Sequence, residues 1–239
     1  MLVSLVGKPV FQYSVEAFLK SEVADTFVIT YRDPAQKQTL ENIVDSLALP
    51  ESISVFWAQG GKERQDSVLN GLNALPETVE TVFIHDCSRP LVKASTLQTL
   101  LKTVQKDKAA VLCHKVVNTI KQAPERLEDQ PNYLTDLPRD ELWAMETPQV
   151  FDRTLIHEAY QKTAGSNEVL TDDVSAATLS HHRVTLVPNL DANPKLTIPA
   201  DFAYAEFLLQ QTGPIQFAMH VLEEPTAKKS VQQPSRTRS

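Results

Sequence analysis

Apolar residues recur along the chain in two alternating rhythms. Val10, Phe11, Val15, Phe18 and Leu19 fall at helical spacing, and the run Phe27-Val28-Ile29 behind them reads as a short buried strand. Asp33-Pro34 is a helix start, and Leu40, Ile43, Val44 and Leu47 give the next helix one apolar face. Residues 52–56 read as a strand broken by Gly60-Gly61. A helix over 64–75 follows, with Val68, Leu69 and Leu72 on one side, then a strand over 79–84 ending at His85-Asp86, a helix over 95–104 and a strand over 109–113. Strands that alternate with helices over short loops predict an α/β fold. The expected architecture is a doubly wound, mostly parallel sheet of Rossmann-like kind, with helices on both faces.

The rhythm changes after Cys113. Residues 115–121 and 132–137 flank the polar stretch Ala123-Pro124-Glu125-Arg126-Leu127-Glu128-Asp129, which predicts a two-stranded β-arm projecting from the sheet at about 115–140. Helices over 153–162, 171–179 and 200–210 and a strand over 184–187 complete the domain. One domain is therefore expected over 1–212. The tail, 213–239, is rich in Lys, Gln, Ser and Pro towards its end, a composition that favours disorder there.

Composition narrows the function classes. The 239 residues are 42% hydrophobic, enough for a sizeable core, and the net charge of -7 argues against a general nucleic-acid binder. A local basic pocket for a phosphorylated substrate is compatible with that charge. The two cysteines, Cys87 and Cys113, do not form a paired metal motif, so the expectation is a reduced, cytoplasmic protein. No apolar run is long enough to span a membrane, and no charged-then-apolar leader is present.

In doubly wound sheets, ligands bind beyond the carboxyl ends of the strands. Two segments there carry chemistry. In GGKERQDSVLNGL, residues 60–72, the glycine pair lets the backbone approach a ligand, and the helix behind it offers free N–H groups; an ordinary strand-to-helix turn would look the same. In HDCSRP, residues 85–90, Asp86 stands where a carboxylate can hold a metal that bridges phosphates, and Arg89 can meet a phosphate or hold Asp86 in place. Three further segments are less telling. WAMETPQVF, residues 143–151, reads as a structural crossover strand. LTDDVSA, residues 170–176, reads as a capped helix start with Thr171 or Asp172 as N-cap. Lys195, in NPKLTIPAD, lies between a strand and a helix, where a cation can meet a phosphate. His181-His182 has no carboxylate or thiol at ligand spacing.

Taken in order, GGKERQDSV, HDCSRP, NTIK, LWAMETPQVF, TDDVSA and NPKLTIPAD resemble the bacterial 2-C-methyl-D-erythritol 4-phosphate cytidylyltransferases of the non-mevalonate isoprenoid pathway, over roughly 6–209. The ribitol-5-phosphate cytidylyltransferases share most of these motifs. The resemblance implies transfer of CMP from CTP to a polyol phosphate with release of pyrophosphate, with Mg²⁺ on the triphosphate. It implies that Gly61 and Ser67 hold cytosine and its ribose, that Asp86 lies near ribose and metal, and that Arg89 is the arginine of the same motif. It implies that Lys195 binds phosphate near the reacting centre. It further implies that Thr119 and Arg139 reach across a homodimer, through the arm, to the polyol phosphate in the partner's site.

Some residues depart from the family's pattern. Cys87-Ser88 replaces two smaller residues, Asn118 stands where an aspartate is usual, and Met145 and Glu146 vary a stretch that reads as loosely constrained. The largest departure is at the start. Family members open with a strand and a glycine-rich loop that wraps the triphosphate, followed by a segment ending in Leu-Gly-Lys-Pro. In this chain Leu5-Val6-Gly7-Lys8-Pro9 matches the end of that segment. Two expectations follow: a gap in the sheet where a central strand would lie, with unpaired backbone groups beside it, and low stability of the chain by itself. Either a longer polypeptide supplies the loop, or the chain is a catalytically impaired homologue, non-catalytic or paired with a complete partner.

Overall fold

The computed structural model describes residues 2–123, 133–164 and 170–211. A small hairpin opens the described chain, β1 (Ser4–Leu5) against β2 (Lys8–Pro9), turning at Gly7 with φ +79°. Helix α1 (Val10–Ser21) leads to β3 (Thr26–Tyr31), α2 (Pro34–Ser46) and β4 (Ser54–Gln59). Helix α3 (Arg64–Ala74), β5 (Thr81–Ile84), α4 (Ala94–Asp107) and β6 (Ala109–Lys115) continue the alternation. The arm strands β7 (Lys121–Gln122) and β8 (Thr135–Asp136) are followed by the long strand β9 (Trp143–Asp152). Helices α5 (Arg153–Thr163) and α6 (Asp173–Leu179), strand β10 (Thr185–Pro188) and helix α7 (Pro199–Gln210) end the fold.

The expected α/β fold is present. Asp33 caps α2 by accepting a hydrogen bond from the Gln36 N–H at 2.8 Å, and Pro34 takes the first helical position, where its missing N–H costs nothing. The sheet is mixed. β3 and β4 run parallel, as do β6 and β10, whereas β9 lies antiparallel between β5 and β6. The reversal follows from connectivity: the chain leaves β6 through the arm and returns without a crossover helix, so its next strand runs the other way. The stretch read from sequence as a crossover strand is thus an interior strand, with residues 146–151 enclosed. On one face α1 packs against α4, and on the other α3 and α6 pack against α5.

The sheet is in two pieces. One has the order β10-β6-β9-β5 and the other is the β3–β4 pair. Between them lies a cavity of about 550 Å³, lined by residues 26–30 of β3 and 81–84 of β5, by Phe11, Val15 and Phe18 of α1 and by Val68, Gly71 and Leu72 of α3. The gap expected from the sequence is therefore present, and the facing edges of β3 and β5 are not bonded to each other.

The arm is also present, but short. Lys121 pairs with Asp136 and Gln122 with Thr135, extended by a hydrogen bond from the Leu137 N–H to the Ile120 carbonyl at 3.4 Å. Its predicted polar turn falls almost wholly in 124–132, outside the described residues, as does the tail from 212 onward.

Candidate active site

The carboxyl ends of β4 and β5 meet the loop before α7 at one end of the cavity, where Arg64, Ser67, Asp86 and Lys195 share its lining. The turn from β4 into α3 comes first. The Gly60 N–H bonds the Tyr31 carbonyl at 2.8 Å, holding the turn to β3. At Gly61 a side chain would not fit: a Cβ there would stand 2.1 Å from the Cβ of Asp66. Asp66 is fixed because its carboxylate accepts from the Glu63 N–H at 3.0 Å across the first turn of α3. The Gly61 N–H donates to Ser67 Oγ at 3.0 Å, so the two residues singled out in this motif are in direct contact.

Asp86 stands two residues beyond β5. Its Oδ1 accepts from Arg64 Nε and Nη2, both at 3.2 Å, and its Oδ2 accepts from Lys195 Nζ at 2.9 Å. Burial alone would raise the Asp86 carboxyl. The charge of Arg64 and the hydrogen bond from Lys195 outweigh it and hold the carboxyl below the usual range. Asp86 and Lys195 thus meet across 109 residues of sequence, a contact that the sequence reading did not state.

Arg89 is placed differently. Its Nη1 donates to the Asn193 carbonyl at 2.8 Å, and its enclosed Nε has no hydrogen-bond partner among the described residues. Burial lowers its pKa. Arg89 ties the Asp86 loop to the Lys195 loop, and the cations on Asp86 are Arg64 and Lys195. A second tie joins the same loops, from the Leu196 N–H to the Ser88 carbonyl at 2.7 Å.

Under these loops lies a polar layer. His85 Nε2 faces the Arg89 carbonyl at 3.1 Å and therefore carries the proton, which leaves Nδ1 to accept from Thr147 Oγ1 at 3.2 Å. Thr147 Oγ1 in turn accepts from the Asp86 N–H at 3.1 Å. Burial pushes the His85 imidazole down to about 4, so it is neutral here. Glu146 is a correction to the sequence reading. Far from loosely constrained, it is enclosed, accepts from Asn189 and Asn193 at 2.9 and 2.8 Å, and faces His114 Nδ1 at 2.6 Å. Both cysteines are free, and burial pushes each thiol up to about 11.

Thr119 and Arg139 are exposed on the arm, where Arg139 Nη1 donates to the Val117 carbonyl at 3.2 Å; neither lines the cavity. Sequence reasoning missed Arg64 and Asp173. Asp173 is fully enclosed and takes both terminal nitrogens of Arg64, at 3.0 and 2.9 Å. The signal was the doubled acid of TDD. One carboxylate suffices to cap α6, and Asp172 does so by accepting from the Ser175 N–H at 2.9 Å, leaving Asp173 without a local duty.

The sequence model of the 2-C-methyl-D-erythritol 4-phosphate cytidylyltransferases matches residues 1–211. The chain belongs to this family. Its expected function, that of a cytidylyltransferase of isoprenoid precursor synthesis, is the function for which the family is named, and the enzyme class is nucleotidyltransferase. The family's protein from Caldanaerobacter subterraneus is 34% identical over 209 residues, covering 87% of this chain and 89% of the relative. That from Halalkalibacterium halodurans is 36% identical over 211 residues, with 87% and 88% covered. The crystal structure of 4-diphosphocytidyl-2C-methyl-D-erythritol synthase from Anaerococcus prevotii superposes with a TM-score of 0.77 at 24% identity, over 87% of this chain and 92% of that one, which establishes the shared fold. No helix among the described residues is long and apolar enough to cross a membrane.

Proposed function

We propose that this chain transfers CMP from CTP to 2-C-methyl-D-erythritol 4-phosphate, with release of pyrophosphate. The observation that carries the reading is Asp86 held between Arg64 and Lys195, beside the Gly61–Ser67 turn, at the carboxyl edge of the sheet. Ser67 Oγ accepts from the Gly61 N–H at 3.0 Å and donates to the Glu63 carbonyl at 3.2 Å, and exchanging these contacts would turn the N–H and the hydroxyl to a nucleobase edge or ribose. Lys195 is half exposed and, among the described residues, its ammonium bonds Asp86 Oδ2 alone, so it is free to move onto a phosphate.

The substrate's phosphate oxygen attacks the α-phosphorus of CTP, and the bond to the bridging oxygen breaks, so that pyrophosphate leaves with its electron pair. A phosphate monoester is already an anion, and the step calls for alignment and charge neutralisation rather than a strong base. Magnesium fits the donors present. Mg²⁺ is commonly held by one or two carboxylates plus substrate phosphates, and Asp86 supplies a carboxylate to the cavity lining. When bound, the ion would neutralise charge on the triphosphate. We place Thr119 and Arg139 on a partner's polyol phosphate, in a homodimer joined through the arm.

The test is pyrophosphate release from CTP and Mg²⁺ with 2-C-methyl-D-erythritol 4-phosphate or ribitol 5-phosphate as acceptor, on folded protein, with K195A and D86N as controls. Release with the first acceptor, lost by about 100-fold or more in both variants, is expected. Release only with ribitol 5-phosphate overturns the acceptor. No release with either acceptor, from a folded protein that binds CTP, overturns the activity and leaves a nucleotide-binding homologue.

A further inference from the structure

Asp173 is the first residue of α6 and has no solvent exposure. A carboxylate taken wholly out of water is tolerated only when paired and hydrogen-bonded. Three donors meet its two oxygens. Arg64 Nη1 and Tyr160 Oη reach Oδ1 at 3.0 and 2.5 Å, and Arg64 Nη2 reaches Oδ2 at 2.9 Å. Tyr160, on α5, is itself enclosed, and burial together with the Asp173 charge raises its phenol, so it stays a donor. Three helices, α3, α5 and α6, thus converge on one carboxylate.

The same guanidinium touches Asp86, but less closely. Its bonds to Asp173 are 2.9–3.0 Å, and those to Asp86 are both 3.2 Å and go to Oδ1 alone. The bidentate fork is spent on Asp173, so Arg64 cannot swing to grip both oxygens of Asp86. Oδ2 is left to Lys195, a flexible point charge.

We infer that Tyr160 and Asp173 are positioning residues: they anchor Arg64 on Oδ1 of Asp86 and thereby leave Oδ2 to Lys195, the contact a ligand has to displace. The inference rests on the nucleotide reading of the site. Without the anchor, Arg64 is released to form its fork with Asp86, and nucleotide and metal must displace a bidentate ion pair instead of one lysine.

The experiment is calorimetric titration of CTP with Mg²⁺ into the full chain and into Y160F, D173N, R64A and the two double variants carrying R64A, each checked for fold by circular dichroism. Affinity is expected to fall about threefold in Y160F and about tenfold in D173N, within the range of one ordinary net hydrogen bond because the effect reaches the ligand through Arg64. In the R64A background neither substitution should weaken CTP further, because both act through Arg64. Unchanged affinity in both single variants overturns the inference, and so does an equal loss with and without Arg64. Absence of CTP binding by the unsubstituted chain overturns the nucleotide reading instead. Should D173N not fold, Y160F carries the test. Should R64A bind too weakly to measure, the Arg64 Nε resonance of ligand-free Y160F decides: a shift supports the inference, and an unmoved signal overturns it.

Discussion

On β6 the five residues Ala109–Cys113 are all enclosed, whereas on β5, two strands away, all four residues of Thr81–Ile84 are only half-buried. On β3 a single residue of six, Ile29, is enclosed. All three strands carry an apolar run, and β3 and β5 have the more β-branched and aromatic residues, so strand propensity does not account for the greater burial of β6. The difference is neighbours. β6 lies between β10 and β9, while β5 and β3 each have one bonded partner and face the cavity on the other side. A strand's burial is a property of its place in the sheet, and an apolar run states only that burial is possible.

The contrast can be broken by truncating one core residue in each piece. Phe151, fully enclosed on β9, should lose about 3–5 kcal/mol on substitution by alanine, read by denaturant unfolding. Leu40, in the cluster over β3 and β4, should lose about 2 kcal/mol, the low end for leucine, because its surroundings border open space and hold fewer contacts to forfeit. Equal losses would mean the two pieces are equally well packed. Hydrogen exchange gives a finer reading. The β3 and β5 amides that point into the cavity should exchange well before those of β6 and β9, which are paired on both sides apart from one irregularity between Val111 and Cys113. Uniform protection across the four strands would contradict the split sheet.

His85 reports on how dry the cavity is. It lines the cavity wall and lies edge-on to Phe18, with ring centroids 5.6 Å apart. A histidine lowered to about 4 on folding is protonated more readily in the unfolded chain, where its value is near 6.5. Its contribution is therefore full above about pH 6.5 and is lost as pH falls towards 4. The depressed Asp86 carboxyl follows the same direction in a more acidic window: its contribution is present above the unfolded carboxylate value and is lost as pH falls below it. NMR titration of the imidazole should give a midpoint near 4. A midpoint near 6.5 would show water standing in the cavity. The smallest effect is expected at Gly71, inside α3, where an added Cβ would meet Thr30 Cγ2 at 3.6 Å and Val28 Cγ1 at 3.8 Å, both ordinary contacts. G71A should stabilise the chain by about 0.5–1 kcal/mol, since alanine outranks glycine within a helix. Destabilisation would show that β3 sits closer to α3 than these distances allow.

The site was legible in proportion to how local its signals are. Gly61 and Ser67 are six residues apart on one strand-to-helix turn, and their contact follows from the motif. Asp86 followed from its position past an apolar strand. Arg64 was visible in GGKER but had no role until Asp173, 109 residues later, was seen to hold it. Glu146 was misjudged for the same reason: its partners His114, Asn189 and Asn193 lie 32, 43 and 47 residues away. Arg89 could be placed on the correct loop, but whether it would face Asp86 or Asn193 depends on how two loops stack.

The sequence by itself determined the order and type of most elements, the arm, the helix start at Asp33-Pro34, the family and the gap in the sheet. These rest on periodicity, on local hydrogen bonding and on motif order, all properties of near neighbours in the chain. Only the tertiary structure decided that β9 runs antiparallel through the middle of the larger piece, and that Asp86 takes its cations from Arg64 and Lys195. It also decided that an aspartate resembling a spare helix cap is buried against an arginine and a tyrosine. Such pairings join residues far apart in sequence. They are selected by packing and by the cost of leaving a buried charge alone, neither of which a linear pattern records.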